Sequence, residues 1–108
     1  MIRGTTPDYL LTLNGVDLAG QTVYVTIGQG HRKLTKTGDD LTVTTDEHGS
    51  SIAFSLSQED TLGLNAGSAS VQVRFIDAEG VAQATEIAPL TVNPVLLERV
   101  ISYADNSN

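Results

Sequence analysis

In Leu41-Thr42-Val43-Thr44-Thr45-Asp46-Glu47-His48-Gly49-Ser50-Ser51-Ile52-Ala53-Phe54-Ser55-Leu56, apolar side chains recur at every second position on either side of an Asp-x-x-Gly turn. That period belongs to half-buried strands, and the turn between them predicts a hairpin. Pairing Thr45 with Ser50 sets Val43 against Ile52 and Leu41 against Phe54, which puts all four apolar groups on one face. One extra residue in the loop would split them between the two faces.

The same reasoning extends along the chain. Around Asp77-Ala78-Glu79-Gly80, pairing Ile76 with Val81 predicts Phe75 against Ala82, Val73 against Ala84 and Gln83 opposite an outward Arg74. Tyr9, Leu11 and Leu13 alternate before Asn14-Gly15. Val23, Val25 and Ile27 alternate before Gly28-Gln29-Gly30, with Thr22, Tyr24 and Thr26 on the opposite face. His31 to Thr37 hold one apolar residue, Leu34, among His31, Arg32, Lys33 and Lys36, which marks an edge strand. Alternation fails after Ala84 and resumes at Leu90 and Val92, so a bulge or strand switch is expected between Glu86 and Pro89. Ser57 followed by Asp60 resembles a capping box and predicts one helical turn over 57–62, within a crossover between sheets.

These segments, at roughly 8–12-residue spacing, predict an all-β fold: a single immunoglobulin-like β-sandwich of about seven antiparallel strands spanning 1–94. Residues 95–108 follow as a C-terminal apolar segment with a frayed end from Asp105 to Asn108. Val95 to Ile101 reads as either a short helix or an extended arm. Ile2, Leu96, Leu97, Val100 and Ile101 either cap the sandwich or form an apolar patch for a partner.

Composition narrows the chemistry. At 108 residues the chain holds one domain, and 40% apolar with 18% charged residues describes a globule rather than a disordered or bilayer-spanning chain. A net charge of −7 disfavours nucleic acid, whose phosphates need a basic stripe. With no Cys, disulfides, thiolate metal sites and Cys nucleophiles are excluded. No apolar stretch near the start resembles a signal-peptide core, so the expectation is synthesis in the cytoplasm, with no membrane partner.

Candidate sites are few. Asp39, Asp40, Asp46 and Glu47 offer oxygen ligands for Ca²⁺, but an intervening strand of about five residues separates the pairs by about 17 Å, so they read as two solvated turns. His31 and His48 are the only imidazoles and both fall at turns. No Gly-x-Ser-x-Gly elbow is present, and the glycines at 28 and 30 precede a strand rather than the helix a phosphate loop requires. Tyr24 is the one outward tyrosine of the sheets, and without Trp a sugar platform would rest on it. The residues therefore predict no catalytic group, no metal and no cofactor.

Met1-Ile2-Arg3-Gly4-Thr5-Thr6-Pro7 resembles the opening of short phage and prophage proteins encoded among tail and baseplate structural genes. Leu56-Ser57-Gln58-Glu59-Asp60-Thr61-Leu62 is similar to that group's Leu-Thr/Ser-Gln-Glu-x-Thr-Leu segment. Val71-Gln72-Val73-Arg74 resembles its Val-Gln-Val/Leu-Arg strand, Gly80-Val81-Ala82 the turn leaving it, and Val100-Ile101 its usual end. The likeness is weaker over Asp39 to Gly49 and beyond Ile101. It implies an immunoglobulin-like, non-enzymatic virion accessory protein of the tail or baseplate region, similar also to N-terminal domains of larger baseplate proteins of phages of Gram-positive bacteria. Its implied partners are other virion proteins and possibly further copies of itself. The alternative is a carbohydrate-binding or adhesion module recognising the host cell surface.

Overall fold

The computed structural model describes residues 1–103. Its elements are β1 (Asp8–Asn14), β2 (Thr22–Gln29), β3 (Arg32–Thr37), a 3₁₀ turn (Gly38–Asp40), β4 (Thr42–Asp46), β5 (Gly49–Ser55), α1 (Gln58–Leu62), β6 (Gly67–Ile76), β7 (Ala82–Ala84) and β8 (Ala88–Val92). One antiparallel sheet has the order β1-β5-β4. The other runs β3-β2-β6, with β7 and β8 both paired to β6. The two pack as a β-sandwich.

Alternation decides what lies between the sheets. Val23, Val25 and Ile27 of β2, Ile52 and Phe54 of β5, and Val73 and Phe75 of β6 are buried together with Leu18, Leu56, Leu64 and Val92. Tyr9, Leu11 and Leu13 of β1 pack against them half-buried, with the Tyr9 and Phe54 rings stacked at 5.5 Å. Burial pushes the Tyr9 phenol above its ordinary pKa, because the phenolate would lose its hydration.

The β4–β5 hairpin has the expected register, Thr45 opposite Ser50 and Val43 opposite Ile52. The β6–β7 hairpin does not. Ile76 faces Ala82 rather than Val81, Phe75 faces Gln83, and Arg74 faces Ala84 instead of Gln83. The cause lies in the turn. Asp77 N donates to Val81 O (3.2 Å), Gly80 takes a φ of +86°, and the Asp77 carboxylate accepts from the amides of Glu79 and Val81. Asp77 thereby pairs across a three-residue loop, and the register moves by one.

The break after Ala84 is a bulge, placed at Thr85 to Ile87. Arg74 pairs with Ala84 and Val71 with Ala88, so three residues of this edge oppose Gln72 and Val73. Thr85 fills the gap: its N donates to Val73 O (2.9 Å) and its hydroxyl accepts from Val73 N (3.1 Å). β7 and β8 are thus one bulged strand in two pieces, and the eight strands occupy seven positions.

α1 carries the full capping box: Asp60 N donates to Ser57 Oγ (3.0 Å) and Ser57 N to the Asp60 carboxylate (2.9 Å). It sits in the crossover from β5 to β6, as its sequence indicates. The expected fraying at Asp105 to Asn108 lies outside the described residues.

Candidate interaction surface

The opening heptad is fastened to the sandwich rather than displayed. Met1 to Arg3 run parallel to the end of β8, with Asn93 N donating to Met1 O (2.7 Å), Arg3 N to Asn93 O (3.0 Å) and an Ile2–Asn93 bridge. Arg3 then turns inward. Its Nε donates to Leu64 O (2.6 Å), one Nη to Leu62 O (3.0 Å), and the other Nη pairs with the Glu98 carboxylate. The fork geometry of a guanidinium suits this three-way contact. Buried Thr61 completes the join: its Oγ1 accepts from Gly4 N (2.9 Å) and donates to Thr5 O (2.9 Å).

Residues 95–102 form neither helix nor strand. Proline ends the ladder by removing an amide donor, and the following residues leave the sandwich as an irregular arm with bends at Leu96, Leu97 and Arg99. The arm is tied through Glu98 to Arg3 and through the Gln58 amide, which both donates to Ile101 O (2.9 Å) and accepts from Ile101 N (2.8 Å). Between and around these ties Leu96, Leu97, Val100 and Ile101 face solvent, as does Ile2. Among the described residues of the arm only Val95 is half-buried, beside Gly4. Of the two placements open from sequence, this is the exposed one: the five residues do not cap the core.

Elsewhere, no constellation assembles. His31 and His48 are both exposed, the latter 3.5 Å from the equally exposed Glu47 carboxylate. Among the described residues no three His, Asp or Glu groups gather as metal ligands. Asp46 instead accepts from His48 N (2.8 Å), a turn-forming bond. Lys33 Nζ donates to Gly30 O (2.8 Å) at the turn between β2 and β3.

Tyr24 and Arg74 stand opposite each other on the outer face of β2 and β6, in a groove of about 420 Å³ shared with Thr26, Thr35 and Ala82. Lys36 pairs with Asp60 (2.8 Å) from the edge strand. Burial alone would raise the Asp60 pKa, but the hydrogen bond from Lys36, the Ser57 amide and the Lys36 charge outweigh it and hold the carboxyl below its ordinary value.

Sequence reasoning passed over Arg3, Gln58 and Thr61. A signal existed for the first: Arg3 is the sole charged side chain between Met1 and Pro7. Gln58 and Thr61 carry no local signal, because their partners lie 43 and 56 residues away.

Among the described residues no helix is long and apolar enough to cross a membrane. Compared with known proteins, the chain matches no family model and no curated protein.

Proposed function

We propose that the chain is a non-enzymatic phage or prophage virion accessory protein of the tail or baseplate region, acting through protein–protein contacts of its C-terminal arm. The observation that carries this reading is the arm itself. Leu97 and Ile101 are each 52% exposed although hydrogen bonds and an ion pair hold the segment against the fold. Apolar side chains ordered in water have no gain from that position, whereas a partner surface would remove them from solvent. The resemblance of the opening heptad and the Leu56 to Leu62 segment to tail-associated proteins supplies the class of partner. The test is capture from dissociated virions by the full chain and by a variant carrying serine at Leu96, Leu97, Val100 and Ile101. Retention of one tail or baseplate protein by the full chain, lost in the variant, is expected. Equal retention by both, or none by either, overturns the role of the arm.

The Tyr24–Arg74 groove favours a second reading, a carbohydrate-binding or adhesion module for the host surface. An aromatic face beside a guanidinium suits a sugar ring with an acidic substituent. A glycan-array signal abolished by Tyr24→Ala supports this reading, and an array at background removes it.

A further inference from the structure

The sandwich has four lateral edges, and three are blunted against pairing with another chain. β3 carries Arg32, Lys33 and Lys36. The β7–β8 edge is bulged, contains Pro89, and is closed at its end by Met1 to Arg3. β4 is short, and antiparallel pairing of two copies would bring Asp39 and Asp40 of one against Asp46 and Glu47 of the other. Charges, bulges, prolines and short length are the ordinary protections of a sheet edge.

β1 carries them only at its start, where Pro7 precedes it and Asp8 is its first residue; from Tyr9 to Asn14 it has none. It is seven residues long, is paired on one side with β5, and has no charge between Asp8 and Asn14. Leu10 on its outer face is 67% exposed. Leu56 N donates to Pro7 O and Gly15 N to His48 O, so the odd-numbered residues of β1 turn their backbone groups toward β5. The amides and carbonyls of Leu10 and Thr12 therefore point outward. Beside this edge a crevice of about 210 Å³ separates Leu11 to Leu13 from Thr85 and Glu86 of the bulge.

We propose that β1 is an interface for a second copy of this chain, paired antiparallel with its own β1 about a two-fold axis at Leu11. The sequence is self-complementary in that register. Leu10 and Thr12 of one copy exchange hydrogen bonds with Thr12 and Leu10 of the other, while Leu11 faces Leu11 and Tyr9 faces Leu13. Inward residues meet inward residues, so the apolar faces of the two sheets become continuous. Asp8 lies opposite Asn14 rather than another acid, which matters between chains that each carry a net charge of −7. Leu10 of each copy gains Thr12 opposite and its own counterpart on the diagonal. The result is an isologous, closed dimer with a six-stranded sheet, β4-β5-β1-β1-β5-β4.

This interface is separate from the arm, and the experiment keeps the two apart. Sedimentation equilibrium on the full chain is expected to show a monomer–dimer equilibrium. Thr12→Pro removes an outward amide without touching the β5 ladder, and Leu10→Lys adds a charge at the edge. Each should weaken the dimer at least about tenfold while circular dichroism stays unchanged. Truncation after Pro94 should leave the dimer intact. Because the chain has no native Cys, Leu11→Cys tests the register directly: under diamide it should form a disulfide-linked dimer at least about tenfold faster than Leu10→Cys. A full chain that stays monomeric to about 1 mM, a dimer lost on truncation but kept in folded Thr12→Pro, or equal cross-linking at 10 and 11 overturns the proposal.

Discussion

Arg3 and Glu98, 95 positions apart in sequence, form an ion pair that joins the start of the chain to its C-terminal arm. The two ends of the pair are unequal. The Arg3 side chain is 14% exposed and also bonds two backbone carbonyls, whereas Glu98 is 62% exposed. Arg3→Met should therefore cost about 2–3 kcal/mol, since Leu62 O and Leu64 O lose charge-assisted partners. Glu98→Gln should cost less than about 1 kcal/mol, the usual value of an exposed ion pair. Arg3→Lys should recover under half of the loss, because an ammonium's donors radiate from one nitrogen and cannot span acceptors that Arg3 reaches from Nε and both Nη atoms. Urea denaturation of the three variants checks each value.

Asp60 gives stability a pH dependence with a definite sign. Its folded pKa is held below the ordinary 3.8, so its contribution is present above that value and is lost as pH falls through the lower, folded one. Asp60→Asn keeps an oxygen for the Ser57 amide but removes the charge facing Lys36. The stability difference between the native chain and Asp60→Asn should be largest at neutral pH and shrink below about pH 4. Thermal melts from pH 7 to pH 2 measure it, and a gap that stays constant or widens on acidification contradicts the assignment.

Ser50 is a buried polar staple. Its hydroxyl accepts from Leu18 N (3.0 Å), donates to Val16 O (2.7 Å) and lies 2.9 Å from the Thr45 hydroxyl. Through it β5 holds the connection between β1 and β2 in place. Ser50→Ala leaves a buried amide and a carbonyl unpaired, which should cost about 2 kcal/mol. Hydrogen exchange at the Leu18 amide should accelerate more than at Val25, whose ladder bonds are untouched.

What was legible in the sequence was local. Period-two alternation placed the strands of the core, the charges of β3 marked an edge, and Ser57 with Asp60 marked α1, because each signal lies within a few residues of its effect. The illegible part was long-range. Nothing near Thr61 or Gln58 announces Thr5 or Ile101 as partners. The sheet to which β2 belongs depends on contacts with β6, some 50 residues downstream, and apolar alternation is satisfied in either sheet. The exposure of Leu96, Leu97, Val100 and Ile101 was undecidable locally as well, since an apolar run reads alike whether it caps a core or awaits a partner.

The two Asp-x-x-Gly turns make that limit concrete and yield a last prediction. In the first, Asp46 pairs directly with Gly49 across a two-residue loop. Gly49 has a φ of +145° and pairs on its other side with Asn14 of β1, so a Cβ there would lie 2.3 Å from Leu13 O and 2.8 Å from Gly15 N. In the second, Gly80 has a φ of +86° and open space around it. Both positions require glycine for its backbone freedom, but the first also forbids the atom sterically, and its neighbours are backbone that cannot rotate away. Gly80→Ala should cost about 1 kcal/mol and Gly49→Ala at least about 3 kcal/mol. Denaturant midpoints compare them directly. Equal losses would mean that β1 and β5 part at Gly49 to admit a methyl group, and amide shifts at Leu13 and Gly15 would then report the separation.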